Sequence, residues 1–382
     1  MQLLMVASNF PPVIGGIQTY AFELAKHFAG RGDSLLVVAP RADECEAFDA
    51  QSGVSTLRLT GINDDLALSG IVPLARLLRR RNFDAAFATH WAPAFALLSA
   101  ARLAGKKLPV FVAAHGKELL HRPFAHLPLV QRAYDALRRR VLHDAAGFFP
   151  VSERTAQLLA AGGAAPERIC VVSNGVDPMH FQPRDATALR DELSASGPIL
   201  LSVARLVSRK GIDTMLRALP AVLHEIPSAT YLIVGEGPDY ARLARLAGEL
   251  GVTRNVCFAG RASRDLVEYY NACDVFVLPA REEPTDIEGF GLVFLEAGAC
   301  AKPVIGARAG GVVDAIVDGQ TGVLIAPDDV GALAAATVSL LRDPERSAAL
   351  GNGARERILR ECTWNHAAAR IATRMEALLA RS

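Results

Sequence analysis

The chain has 382 residues, more than one compact core of ordinary size accommodates, so two domains is the starting expectation. Hydrophobic residues make up 51% and charged residues 21%, which marks a folded globular protein and excludes a disordered one. Lys+Arg 41 against Asp+Glu 40 leaves a net charge of +1, so nothing global favours nucleic acid as a partner, and any basic surface is local.

The start, MQLLMVASNFPP, has no basic leader region and too short an apolar run for a signal peptide, so it reads as a buried strand. LLMVA, SLLVVAP, DAAFATH, PVFVAAHG, GFFPVS and ICVVSNG then read as buried parallel strands. Amphipathic stretches such as GIQTYAFELAKHFAGRG lie between them, with Gly30 or Gly32 as candidate terminators. A polar, proline-bearing linker is expected over about 178–191. The second half repeats the logic with PILLSVARL, TYLIVGEG, VCFAGR, DVFVLPA, PVIGA and GVLIAP. The economical fold class is α/β, two doubly wound Rossmann-like domains facing across a cleft. We place the first over 1–180 and the second over 190–362. A helix over about 363–382 packs back onto the first.

Cys45, Cys170, Cys257, Cys273, Cys300 and Cys362 are scattered without CxxC spacing, which fits reduced thiols in a cytoplasmic chain better than disulfides or zinc. No uninterrupted apolar run reaches the roughly 20 residues that a membrane-spanning helix needs.

Ligands of open α/β sheets bind beyond the carboxyl ends of the strands, and most unusual stretches fall there. In SNFPPVIGGIQTYAFELA, Gly15 and Gly16 open a helix whose free N–H groups suit an anion or sugar; a plain strand-to-helix turn is the other reading. His115, just past a strand and before Gly116, can hydrogen-bond a substrate oxygen or carry a proton, or simply be satisfied by backbone. In SVARLVSRKG, Arg205 and Lys210, flanked by Arg209, can aim two cations at one diphosphate; solvated surface charges are the alternative. In EGFGLVFLEAGA a helix beginning near Phe290 or Gly291 leaves Glu288 in the loop at its mouth and Glu296 about a turn and a half inside. Glu288 then suits hydroxyls near a reacting carbon and Glu296 hydroxyls further along the ligand. A dipole-favoured helix-start carboxylate and a solvated helix charge are the competing readings.

Glu288 and Glu296 form an E-x7-E pair. With Gly15-Gly16, His115, SNGVD at 173–177 and Arg205/Lys210, this pattern resembles the retaining GT-B glycosyltransferases of family 4 (glycosyl transferases group 1), nearly end to end. REEPTDIEGFGLVFLEA is similar to the phosphatidylinositol mannosyltransferases among them. The resemblance implies a metal-independent hexosyltransferase with no cofactor, using a nucleotide sugar (mannose from GDP-mannose favoured) and a lipid-linked or polysaccharide acceptor. It implies that Gly16 lies beside donor phosphate or sugar and His115 contacts the transferred sugar. Arg205 and Lys210 would neutralise the departing diphosphate, and Glu288 would bind sugar hydroxyls. Phe290, Gly291 and Leu292 would offer amides, Glu296 would bind ribose, Arg261 would border the base, and Asn174 would line the cleft. Catalytic roles thus fall to Glu288, His115, Arg205 and Lys210. Asp314 stands where many relatives carry Glu, and Gly116 where some carry Asp. A nucleotide-sugar epimerase and a catalytically silent binding protein are the alternatives.

Two basic stretches, PLARLLRRRN and HRPFAHLPLVQRAYDALRRRVLHD, mix arginines and leucines at helical spacing. They suit an anionic membrane surface, or ordinary packed surface helices. Cell-envelope biosynthesis, on the inner face of the cell membrane, is the implied setting.

Overall fold

A computed structural model describes residues 1–60 and 68–380. The end of the expected C-terminal helix, 381–382, lies outside them. The chain divides into two compact units, 1–174 with 364–382, and 175–363.

The first unit is built on strands β1 (Gln2–Val6), β2 (Ser34–Pro40), β3 (Thr56–Leu59), β4 (Ala85–Ala88), β5 (Val110–Ala114) and β6 (Gly147–Pro150). All neighbours pair parallel, in the order β3-β2-β1-β4-β5-β6. The apolar runs are nearly unbroken because helices cover both faces of the sheet. One face is tied together by aromatic rings. Phe28 meets Phe87, Phe87 stacks on Phe149 and Phe149 lies beside Phe111, with centroids 6.0–6.1 Å apart. The helix Trp364–Leu379 belongs to this unit. Its Trp364 meets Tyr20 edge to face, and Arg370 and Arg374 donate to the carbonyls of Val171 and Glu167.

The second unit carries β7 (Ile199–Val203), β8 (Thr230–Val234), β9 (Val256–Gly260), β10 (Val275–Leu278), β11 (Val304–Ala307) and β12 (Val323–Ile325). Their order, β12-β11-β10-β7-β8-β9, is again fully parallel. Read from the other edge it repeats the first sheet. Each sheet therefore reverses strand order at its centre, between β1 and β4 and between β7 and β10. A switch point of this kind opens a crevice at the strands' carboxyl ends.

Two sequence readings change. ICVVSNG is not a strand; only Ile169 forms a single bridge, to Phe148. The sixth strand of the first sheet is instead Thr56–Leu59, whose half-exposed pattern at the sheet edge lacks the apolar run that marks a central strand. The helix Gly16–Gly30 runs through Gly30, and Gly32 takes the positive φ just beyond it. The expected linker contains a short helix, Thr187–Glu192.

Phe87 is fully buried at the centre of its ring cluster. Phe87→Ala should destabilise the protein by about 3–5 kcal/mol, read as a fall in the urea unfolding midpoint.

Candidate active site

In the second unit, β7 runs into Arg205, and a single 3₁₀ turn, Ser208–Lys210, precedes the helix Ile212–Glu225. Gly211 between them has φ +67°, and a side chain there would strike the Pro279 carbonyl. This close approach brings the turn against the loop that leaves β10. Arg281 on that loop donates its amide to the Arg209 carbonyl at 2.8 Å. The Arg281 guanidinium reaches Asp213 Oδ1 at 2.8 Å and Thr214 Oγ1 at 2.7 Å. Further on, Gly310 N–H donates to Glu282 Oε1 at 2.9 Å and Gly311 N–H to the Glu288 carbonyl at 2.8 Å. The loop is long but tied at several points.

These ties deliver Glu288 to two cations. Its Oε2 accepts from Lys210 Nζ at 2.5 Å and from Arg209 Nη1 at 2.7 Å. Arg209 Nε lies 3.1 Å from Asp286 Oδ2. Glu288 is 8% exposed and Lys210 9%. Burial alone would raise the Glu288 pKa, but the Lys210 and Arg209 charges outweigh it and bring the carboxyl down to about 2. Glu288 Oε1 has no hydrogen-bond partner among the described residues. Glu288 is thus not an open carboxylate at a helix mouth; it anchors an ion cluster.

The cations differ from the sequence reading. Lys210 is in place, but its companion is Arg209. Arg205 is exposed and makes no ion pair among the described residues. The 3₁₀ turn faces residues 209 and 210 inward together, an arrangement that spacing alone does not reveal.

The helix Leu292–Ala299 starts beside this cluster, with Gly291 at its N-cap in a left-handed conformation, φ +93°. Phe290 is buried and Leu292 half-buried. Glu296, in the second turn, is half-buried, and its Oε2 accepts from Tyr270 Oη at 2.5 Å. Burial raises the Glu296 pKa, opposed by the Tyr270 hydrogen bond and nearby His180. Arg261 is exposed beyond β9.

In the first unit Gly15 and Gly16 open the helix Gly16–Gly30 beyond β1. Next to β1, β4 runs into Thr89-His90, and β5 into His115. His115 Nε2 lies 2.9 Å from the Thr89 carbonyl and its ring packs edge-on against Tyr20 at 4.7 Å. A carbonyl only accepts, so Nε2 carries the proton. Burial lowers the His115 pKa, opposed by Glu118 and the Thr89 carbonyl. Asn174 is 6% exposed, and its Oδ1 has no hydrogen-bond partner among the described residues.

The sequence reading named Arg209 only as a flanking charge, and passed over Ser8, Asn9, Gln18 and His90 in the first unit. His90 Nε2 lies 2.6 Å from Ser8 Oγ, Asn9 Nδ2 donates to Ser8 Oγ at 3.2 Å, and Gln18 Nε2 reaches Asn9 Oδ1 at 3.5 Å. The available signal was position, since Ser8 and His90 follow the two central strands as Arg205 follows β7.

Residues 14–180 match the family model Glycosyltransferase Family 4, and residues 185–357 match Glycosyl transferases group 1. The chain is 33% identical over 379 residues to the GDP-mannose-dependent alpha-(1-6)-phosphatidylinositol monomannoside mannosyltransferase of Mycolicibacterium smegmatis, covering 97% of each. The chain belongs to the family 4 glycosyltransferases. A second relative in the family, the GDP-mannose-dependent monoacylated alpha-(1-6)-phosphatidylinositol monomannoside mannosyltransferase of Corynebacterium glutamicum, is 30% identical over 94% of each chain. Among solved structures, Anabaena Alr3699/HepE in complex with UDP superposes with a TM-score of 0.82, at 20% identity and covering 99% and 100% of the two chains. Sucrose-phosphate synthase from Thermosynechococcus elongatus superposes at 0.81, with 23% identity and full coverage of both. These likenesses carry the GT-B fold, which this glycosyltransferase shares.

The depressed Glu288 pKa gives a signed stability effect. The contribution is fully present above about pH 4.5, the usual carboxyl value, and is lost as pH falls toward about 2. At neutral pH it is on the order of 3 kcal/mol. Glu288→Gln should remove it and flatten the loss of unfolding free energy between pH 5 and 3, measured by urea titration at each pH.

Proposed function

We propose that this glycosyltransferase moves a hexose, with retention and without a metal ion, from a nucleotide sugar to a lipid-linked acceptor, and that the donor is GDP-mannose. The observation that carries the reading is the buried Arg209–Glu288–Lys210 cluster beside the start of the helix Leu292–Ala299. The donor and acceptor classes are supported by the relatives' names.

The chemistry follows from charge. The bond between the anomeric carbon and the donor phosphate oxygen breaks, and its electron pair leaves on the nucleoside diphosphate. The acceptor hydroxyl forms the new bond and gives up its proton to the departing phosphate oxygen. The groups that help most are positive, fixed and already desolvated. Lys210 and Arg209 meet those conditions, Arg205 adds an exposed cation, and the amides at Gly291 and Leu292 add the positive end of a helix. These groups supply, without a metal, the charge that the diphosphate needs. Glu288 keeps the cations in place, and its uncommitted Oε1 suits a sugar hydroxyl. A carboxylate held by two cations is a poor nucleophile, so Glu288 fits orientation better than attack on carbon. Glu296 Oε1 suits the ribose. His115 contacts the sugar, Gly15 and Gly16 flank the donor, Asn174 lines the site, and Arg261 borders the base.

Among the described residues no helix is long and apolar enough to cross a membrane. We place the protein in the cytoplasm, peripheral to the inner face. The leucines of the helix Ile71–Arg80 are partly spent on the core: Leu74 and Leu78 are buried while Arg76, Arg79 and Arg80 are exposed. A second patch carries exposed Leu127, Leu129 (77%) and Val130 beside Arg132. Arginines with a small apolar patch suit an anionic lipid surface.

The purified protein, in EDTA and with crude lipid extract, should release nucleotide from GDP-mannose and not from UDP-glucose, UDP-galactose or UDP-N-acetylglucosamine. Lys210→Ala and Glu288→Gln should each lower kcat/KM by about 10²–10³. Release that requires a divalent cation, or that is equal in the variants, contradicts the reading.

A further inference from the structure

The switch point of the first sheet holds a polar cluster that the transfer chemistry above does not use. Ser8 lies just past β1 and is 6% exposed. Its hydroxyl meets two groups among the described residues, His90 Nε2 at 2.6 Å and Asn9 Nδ2 at 3.2 Å. Asn9 Nδ2 is a donor. The role of His90 follows from its other nitrogen. His90 caps the helix Trp91–Ala104, and its Nδ1 accepts the Ala92 N–H at 3.3 Å. Nδ1 therefore carries the lone pair. Burial and nearby His115 push the His90 pKa down to about 3, so the ring is neutral at working pH. The proton sits on Nε2 and points at Ser8.

A serine hydroxyl has two acceptor sites and one proton to give. In this cluster both acceptor sites of Ser8 are filled, and no acceptor among the described residues takes its proton. An unspent donor on a nearly buried hydroxyl costs free energy unless a ligand takes it up. Ser8 thus holds an unspent donor. Around His115, Thr89 Oγ1 and Glu118 Oε2 are buried and have no hydrogen-bond partner among the described residues.

The charge around it selects the ligand. Arg58, nearby on β3, is committed to Asp49 and to the carbonyls of Pro11 and Pro40. The Glu118 carboxylate lies beside His115, whose backbone N–H its Oε1 accepts at 2.7 Å, and His115 in turn lies near His90. A site of neutral donors and acceptors with a carboxylate on its edge repels phosphate. A hydroxyl group, both donor and acceptor, satisfies it.

We propose that Ser8, positioned by His90 and Asn9, is a hydroxyl-binding subsite that donates a hydrogen bond to an oxygen of a neutral polyol ring. The ring is either the sugar being transferred or the polyol head of the acceptor, a choice that rests on the transferase reading. Ser8 binds. His90, held by the Ala92 N–H, fixes the direction in which Ser8 donates.

The test is ligand-observed saturation-transfer NMR on the full chain, with methyl α-mannoside and myo-inositol as separate probes and inorganic phosphate as the contrast. One polyol should show transfer, identifying the source, and phosphate should show no Ser8-dependent binding. Ser8→Ala should weaken that polyol roughly three- to ten-fold, the loss of one hydrogen bond. Asn9→Ala, which leaves the hydroxyl in place and relaxes its orientation, should have a smaller effect. A long-range ¹H–¹⁵N spectrum should find His90 as the Nε2–H tautomer, a signature that a merely structural serine does not require. No transfer from either polyol, equal transfer in wild type and Ser8→Ala, Ser8-dependent phosphate binding, or His90 protonated on Nδ1 each overturns the proposal. Ser8-dependent polyol binding by a chain that releases nucleotide from no donor supports the subsite and sinks the transferase reading.

Discussion

One buried carboxylate shared by two cations organises the second unit. Glu288 is nearly buried, and a lone carboxylate there would protonate or relocate. Lys210 and Arg209 keep it ionised. The relation is reciprocal, because two cations this close and this buried need an anion between them. Breaking such a cluster by removing one partner leaves uncompensated charge. The backbone follows from this need. Gly211 lets the Ser208–Lys210 turn approach Pro279, Gly310 lets the following segment approach the Glu288 carbonyl, and the long loop is tied to the turn by Arg281 and to Gly310 by Glu282.

The same cluster explains how a site can be ready before its ligand arrives. Lys210 and Arg209 are desolvated by folding, so a diphosphate need not strip water from them. Glu288 holds them through one oxygen and leaves the other uncommitted. The first unit solves a related problem without charge. Its switch point is lined by neutral histidines, a serine and a threonine. The two units repeat one strand order and diverge in the chemistry placed at its centre, cationic in one and hydroxyl-rich in the other. Fold and function separate cleanly at that level.

Much of the fold was legible because parallel strands buried on both faces read as continuous apolar runs. All six strands of the second sheet and five of the first carry that signal. β3 escaped because its four residues, TLRL, alternate polar and apolar where the equally half-buried edge strand β9 keeps an apolar run, VCFAG, and ICVVSNG misled because a short apolar run does not by itself make a strand. The site was legible as a set of segments more than as a set of partners. Lys210, Glu288 and Glu296 stood out because charge at strand ends and beside glycines is unusual. That Arg209 rather than Arg205 joins Lys210 at Glu288 depends on a local 3₁₀ turn, which spacing along the sequence does not show. Ser8 and His90 were missed because a serine and a histidine carry no formal charge pattern. Their meaning lies in lone pairs and protons that only the hydrogen-bond geometry reveals.

The central claim is that the Glu288 cluster holds its cations ready for a diphosphate. The most direct measurement is calorimetric titration of GDP and guanosine into wild type and Lys210→Ala. GDP should bind the variant about ten- to a hundred-fold more weakly, as expected for a charge-assisted contact, while guanosine binds both equally. Equal GDP affinity in the two proteins would contradict the claim and move the diphosphate away from this cluster.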